Sequence, residues 1–137
     1  MADQVQFELV SPERLLVSRP VEMVVVPGVE GDFGVLPGHA PLISEVRPGV
    51  IAVFEGGKVE ERIFVAGGFA EVTAERCTVL AEQALPIAEI DRGAVEADLK
   101  DAREDLADAK NDHERSAAEA AIAVAEAKIT AVETTVY

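Results

Sequence analysis

Few side chains in this sequence combine into a set that could do chemistry. The one cysteine, Cys77, lies in Glu75-Arg76-Cys77-Thr78-Val79-Leu80-Ala81, a strand-like run. No histidine or cation is spaced so as to lower its pKa, which a reactive thiol needs. A single cysteine also makes no internal disulfide and no all-cysteine metal site, so a buried or half-buried strand residue is expected. The two histidines, His39 and His113, are too far apart to suggest a metal site. His39 with Asp32 could form an acid–base pair, but no Ser, Cys or metal cluster accompanies them for a base to serve. Glu60-Glu61 and the acids Asp98, Asp101, Glu104, Asp105 and Asp108 could suggest cation binding. Lys and Arg interleave with the second group, however, as on a solvated helix face. Gly28, Gly31 and Gly34 lack the helix start and the Lys-Ser/Thr of a phosphate loop. The expectation is a non-catalytic protein with no metal and no cofactor.

The elements that carry these residues fall into two parts. All 7 prolines lie at or before Pro86, and 9 of the 10 glycines at or before Gly68. After Gly93 the sequence is rich in Ala, Glu, Asp and Lys, with neither Pro nor Gly. That is a change from turn-punctuated strands to uninterrupted helix. We read residues 1–86 as a β-sandwich and residues 87–137 as an antiparallel two-helix hairpin, a mainly β plus α fold. Strands are expected at Val5–Val10, Val21–Val26, Val50–Phe54, Val59–Val65, Phe69–Val72 and Thr78–Ala81, separated by Gly/Pro turns.

In the second part Val95, Leu99, Ala102, Leu106 and Ala109 step by four and three, as do Ile122, Ala125, Ile129, Val132 and Val136. Each set is one stripe of a helix. The stripes pair with each other in a hairpin, or with another chain in some functional state. Asn111-Asp112-His113 breaks the register and marks the turn, with His113 a solvated polar residue. Asp91 can cap the first helix, and Ser116 with Glu119 has the capping-box pattern for the second. A seam this rich in alanine buries little apolar area, so the hairpin should open or detach at limited cost.

Net charge is −14, shared evenly: residues 1–87 and residues 88–137 each hold 13 acids and 6 bases. Such a surface repels phosphate backbones and anionic head groups, which disfavours nucleic acid and direct membrane insertion. No run approaches the roughly 18 apolar residues of a membrane span. Met1-Ala2-Asp3-Gln4 has no basic or apolar leader character, so the protein is expected to stay in the cytoplasm.

The most distinctive stretch is Gly31-Asp32-Phe33-Gly34-Val35-Leu36-Pro37-Gly38-His39-Ala40-Pro41-Leu42. Its glycines and prolines make it a shaped loop. It closely resembles the G-E-x-G-x-L-P-G-H-A-P-L signature of the ATP synthase epsilon subunit family, whose mitochondrial equivalent is called delta. Four further resemblances occur in order along the sequence: Leu9-Val10-Ser11-Pro12-Glu13, Arg47-Pro48-Gly49, Ala66-Gly67-Gly68-Phe69-Ala70-Glu71-Val72 and Thr78-Val79-Leu80-Ala81.

The resemblance implies a rotor subunit of the central stalk, peripheral on the cytoplasmic face of the bacterial inner membrane. It would couple proton-driven c-ring rotation through the gamma subunit to ATP synthesis. Asp32 matches an acidic family position, usually Glu, that faces the c-ring loops, and Phe33 and His39 of the same loop are taken as c-ring contacts. Gamma contacts are not assigned. The resemblance also implies that the hairpin can reach the alpha and beta subunits transiently and hinder ATP hydrolysis. Its 6 bases against 13 acids predict weak or absent inhibition beside an acidic target.

An alternative is an ATP-sensing regulatory module. Some members bind ATP through I/L-D-x-x-R-A at the start of the first helix, which aligns here with Ile90-Asp91-Arg92-Gly93-Ala94-Val95. Ile90 and Asp91 match, but Ala94 stands in place of the arginine, which removes a phosphate-pairing cation. Arg92 is two positions off, roughly 200° around a helix of about 3.6 residues per turn. ATP sensing is therefore not expected.

Overall fold

The computed structural model describes residues 4–134. The expectations for Met1-Ala2-Asp3 and for Val136 lie outside the described residues.

Eight strands and two helices follow in order. The strands are β1 (Val5–Val10), β2 (Leu15–Val21), β3 (Met23–Gly28), β4 (Gly31–Val35), β5 (Leu42–Glu45), β6 (Gly49–Glu55), β7 (Lys58–Val72) and β8 (Arg76–Pro86). A single 3-10 turn, Ile87–Glu89, leads to α1 (Arg92–Asp108) and α2 (Asp112–Glu133). The polypeptide divides into two compact units after Ile87.

The strands hydrogen-bond in the order β2-β1-β8-β7-β6-β3-β4, with β5 on a second stretch of β7. The two long strands explain how one ladder makes a sandwich. The first half of β7 pairs with β6, and its second half, from Phe69, pairs with β5. β8 likewise pairs with β1 through Arg76–Leu80, and its Gln83–Pro86 end pairs with the first half of β7. Each long strand thus belongs to both layers. The corner in β7 is Gly67-Gly68, at φ 71° and 105°. A Cβ on Gly68 would lie 1.8 Å from the Leu80 carbonyl oxygen, so only glycine permits this crossing.

Between the layers lies a valine-rich core built on Phe7, Leu9, Val24, Val26, Ile51, Val53, Ile63, Val65, Cys77 and Val79. In β1 the alternation of buried and half-buried residues follows its sequence alternation residue by residue.

Four strands depart from the sequence reading. β2 contains Pro20, which breaks its strand pattern but is tolerated because β2 lies at the edge of the ladder. β4 occupies the first half of the stretch expected to be a loop, pairing along its length with β3. Its glycines hid it, although no strand geometry forbids them. β5 has four residues, too few to show a period. The segments expected as two strands around Gly67-Gly68 are one continuous β7.

In the helical unit α1 buries Val95 and Ala102, and α2 buries Ala118, Ala125 and Ala131. Leu99, Leu106, Ile122, Ile129 and Val132 are half-buried. Asp91 caps α1, its Oδ1 accepting from the Ala94 N–H at 3.2 Å. The cap of α2 is Asn111 and not Ser116: Asn111 Oδ1 accepts from the Glu114 N–H at 2.8 Å. Asn caps as well as Ser, and with no Gly or Pro nearby the helix starts as early as it can. Ser116 and Glu119 are therefore interior helical positions, and His113 lies in the first turn of α2 and not in the connection. No described helix is long and apolar enough to cross a membrane.

Candidate functional site

Of the residues singled out in the glycine-rich stretch, Asp32 and Phe33 lie at the start of β4, where backbone ties cross from β3 to the β5–β6 connection, and His39 lies beyond the other end of that strand. The Val29 N–H donates to the Glu45 carbonyl and the Arg47 N–H to the Pro27 carbonyl, at 3.0 and 2.9 Å. Arg47 completes the seam with its side chain. Nη1 donates to the Gly28 carbonyl and Nη2 to Asp32 Oδ1, each at 2.5 Å. The Asp32 carboxylate thus lies in an internal ion pair at the rim and remains partly exposed. A pair of this kind orients the carboxylate more than it stabilises the fold.

Phe33 follows Asp32 in β4. It is half-buried and packs against the core. Its ring fills the space beside Gly28, where a Cβ would meet it at 3.0 Å. His39 is half-buried in the β4–β5 connection, with Nδ1 2.6 Å from the Ala40 carbonyl oxygen. The same turn is tied to the β7–β8 connection by Gly38 N–H donating to the Ala74 carbonyl at 2.7 Å. Asp32 is thus engaged by Arg47 and His39 by its own loop, an arrangement for shape and not for proton transfer.

Ile90, Asp91 and Arg92 are all part of how α1 begins. Ile90 is half-buried, Asp91 is the cap, and Arg92 opens the first turn. Arg92 Nε donates to Glu96 Oε1 at 3.0 Å, and Nη2 donates to Glu133 Oε1. The hydrogen bonds to Glu96 and then Glu133 hold its pKa above the ordinary arginine value. Cys77 is fully buried, and burial pushes its thiol up to about 12, which leaves it a neutral core residue at physiological pH.

One surface was not visible to sequence reasoning. Strand register places Leu15 opposite Val10, Val10 beside Leu80, and Leu80 opposite Phe69. These four form a straight row across β2, β1, β8 and β7 on the outward side of the layer. At about 4.8 Å per strand the row runs roughly 14 Å. Leu15, Leu80 and Phe69 are 59%, 58% and 55% exposed, and Ile43 on neighbouring β5 is 70% exposed. The adjacent row carries Glu71, Thr78, Glu8 and Ser18, an acidic and polar margin. Glu8 is paired there with Arg76. A contiguous apolar row with a polar margin is the form of a protein docking face. Its faint signal in the sequence is that Val79-Leu80-Ala81 is apolar at both parities, when a strand with one solvated face should alternate.

Comparison with known proteins agrees with this architecture. The family model described as "ATP synthase, Delta/Epsilon chain, beta-sandwich domain" matches residues 4–87. A second family model, for the C-terminal domain of the ATP synthase epsilon chain, matches residues 91–137. The protein is 73% identical over 84 residues to the ATP synthase epsilon chain of Rhodospirillum rubrum, a match that takes in 61% of this sequence and 63% of that one. It is 67% identical over 85 residues to that of Paramagnetospirillum magneticum, over 62% and 64%. The matched region thus spans a little under two thirds of the length of these curated relatives. Among solved structures it is similar to a subunit of the Euglena gracilis mitochondrial ATP synthase OSCP/F1/c-ring assembly, with TM-score 0.83 and 27% identity, over 97% of this protein and 84% of that one. A subunit of the Tetrahymena thermophila mitochondrial ATP synthase central stalk and c-ring shares the fold, with TM-score 0.65 and 16% identity over 93% and 95%.

Proposed function

The chain belongs to the ATP synthase delta/epsilon family, and from that premise we propose that it is a non-catalytic subunit of the central stalk whose sandwich docks to the gamma subunit through the Leu15–Val10–Leu80–Phe69 row. The exposed row is the observation that carries this reading. Side chains left more than half exposed in an otherwise well-buried sandwich gain on the order of 1 kcal/mol each when a partner covers them. The row is continuous, so a single flat or helical partner surface can cover all of it.

The Asp32–Arg47 end would face the c-ring. There the carboxylate is held by Arg47 and stays partly exposed, so amide or basic groups on polar loops could meet it at the rim. Phe33 supports that contact from beneath by wedging the β3–β4 turn, and His39 shapes the neighbouring connection. Two strands that run through both layers make the sandwich a stiff body, which a part that turns with a rotor requires. Proton-driven rotation of the c-ring would then pass through the stalk to ATP synthesis in the alpha and beta subunits. The whole would be peripheral, on the cytoplasmic face of a bacterial inner membrane.

In this division of labour residues 1–86 dock and residues 87–137 regulate. The acidic hairpin would inhibit hydrolysis weakly or not at all. The ATP-sensing alternative is not favoured, because Asp91 and Arg92 are engaged in capping and in ion pairs and Ala94 supplies no phosphate partner.

The test is co-elution of the full-length protein with purified gamma subunit on a sizing column. Wild type should elute as a one-to-one complex, and Phe69→Glu with Leu80→Glu should abolish it by burying two carboxylates. Asp32→Lys should keep gamma binding and lose assembly with the c-ring. Unimpaired gamma binding by the double glutamate variant would remove the row from the interface. Failure of the folded wild type to bind gamma at all would remove the rotor assignment.

A further inference from the structure

Each helix of the hairpin carries a charge at the wrong end of its own dipole. α1 opens with Arg92 and has no acid in its first turn, and α2 ends with Glu133 and has no base in its last turn. An isolated helix prefers the reverse, anions at its N-terminus and cations at its C-terminus. Within α1 the Asp91 cap and the Arg92–Glu96 pair meet part of the conflict, and the rest is met between the helices. Antiparallel packing brings the start of α1 beside the end of α2, where Arg92 Nη2 donates to Glu133 Oε1 across 41 residues of sequence. The same guanidinium reaches one turn inward through Nε to Glu96.

The seam between the helices gives this pairing weight. α1 holds 6 acids against 3 bases, and α2 holds 5 against 2, so two acidic rods lie side by side. The residues they bury are small: Val95 and Ala102 from α1, and Ala118, Ala125 and Ala131 from α2. Eleven residues along α1, on the same face, Arg103 donates to Glu126 at 3.5 Å. At the turn, by contrast, Asn111, Glu114, Arg115 and Asp112 satisfy one another within a few residues, so that end is closed by local contacts.

We propose that Arg92 is a clasp: its pairing with Glu133 holds the free end of the hairpin shut and, by cancelling both misplaced charges, keeps the first turn of α1 and the last turn of α2 wound. Separation of the helices therefore begins at the clasp and not at the turn, and it unwinds both ends together. Any acidic surface that takes Arg92, or basic surface that takes Glu133, releases the hairpin from that end. This inference concerns the hairpin alone and stands or falls separately from the docking face.

The clasp and the helix dipole predict opposite signs, which makes the test decisive. In the full-length protein, amide exchange and Cα secondary shifts are followed for Arg92→Gln, Glu133→Gln and the exchanged pair Arg92→Glu with Glu133→Arg. The sandwich amides serve as an internal control. Were Arg92 no more than a misplaced charge on its own helix, Arg92→Gln would slow exchange in the first turn of α1 and leave α2 untouched. The clasp requires the reverse: exchange at Ala94–Glu96 and at Thr130–Glu133 rises together, by roughly three- to tenfold. It also requires Glu133→Gln to reproduce the effect in α1. The exchanged pair, carried with Glu96→Gln so that residue 96 does not repel the acid placed at 92, keeps the bridge and corrects both dipoles, so its two ends should be at least as protected as in wild type. Exchange in the last turn of α2 that stays within twofold of wild type in both single variants would overturn the proposal. So would an exchanged pair as loose as the single variants.

Discussion

The sandwich and the hairpin carry the same net charge, −7 each, and meet it by opposite means. The sandwich keeps its charges on the outside of a core of Phe, Leu, Ile and Val, so its ion pairs are ornaments on a structure that apolar burial already holds. The hairpin has no such core. Among the described residues those it buries are one valine and four alanines, and the charge contacts between its helices are the arginine–glutamate pairs 92–133 and 103–126. A part built on large apolar side chains and a part built on a seam of small ones can thus carry one charge density. What separates them is the size of the side chains under the charges.

The sharpest way to break the comparison is at the corner that makes the sandwich. Gly68→Ala sets a Cβ 1.8 Å from the Leu80 carbonyl oxygen at φ 105°, with backbone on both sides of the clash and nothing flexible to yield. We expect a loss of more than about 3 kcal/mol, enough to prevent the sandwich from folding. The expected far-UV spectrum loses its strand contribution while the helical signal of the hairpin persists. Loss of both signals together would show that the hairpin depends on the sandwich.

That corner also shows where sequence reasoning stops. The change of composition between Pro86 and Gly93 was enough to divide β from α, because proline and glycine punctuate strands and spoil helices by local sterics alone. Burial of Cys77 and capping by Asp91 were legible for the same reason, since each depends on near neighbours. Gly67-Gly68 read as a break between two strands, because a glycine pair that ends a strand and one that bends it look alike. β2 was hidden by Pro20, whose harmlessness depends on lying at the ladder's edge. The exposed apolar row left only a faint trace at Leu80: Leu15 and Phe69 become neighbours only through the registers of three strand pairs. Arg92 and Glu133 are distant in sequence in the same way, and the sequence set Arg92 only beside an incomplete ATP motif.

A smaller perturbation touches only the sandwich. The Cys77 thiol has a pKa of 9.0 in an unfolded polypeptide and about 12 in its buried site. Its raised folded pKa contributes stability that is fully present below pH 9. Above that value the unfolded state ionises first, so stability falls as pH rises toward 12. The full difference amounts to up to about 4 kcal/mol at 1.36 kcal/mol per unit. Chemical denaturation from pH 7 to 11 should show this slope in the wild type and lack it in Cys77→Ala, whose deficit at neutral pH reflects a small cavity. The same steepness in both variants would assign the alkaline loss to groups other than the thiol. Below pH 8.5 the native thiol should also resist alkylation and react only on unfolding.

The smallest expected effect bears on the hairpin's second tie. Arg103 and Glu126 are both more than half exposed and meet at 3.5 Å, so water and salt screen the pair strongly. Arg103 is also mid-helix, where it has no dipole conflict to relieve. Arg103→Gln should therefore cost no more than about 0.5 kcal/mol of hairpin stability, lost almost entirely in 1 M salt. Arg92→Gln should cost more, and part of that cost should survive high salt, because unwound helix ends forfeit backbone hydrogen bonds that salt does not screen. The comparison is between the two variants in low and high salt, read from the thermal melt of the helical signal in the full-length protein. Equal losses with equal salt sensitivity would mean that the two arginines are interchangeable surface ties and that the free end of the hairpin has no special hold. Unequal losses in the stated order would place the weak point of the fold at residues 92 and 133, where one side chain takes the part that a core plays in the sandwich.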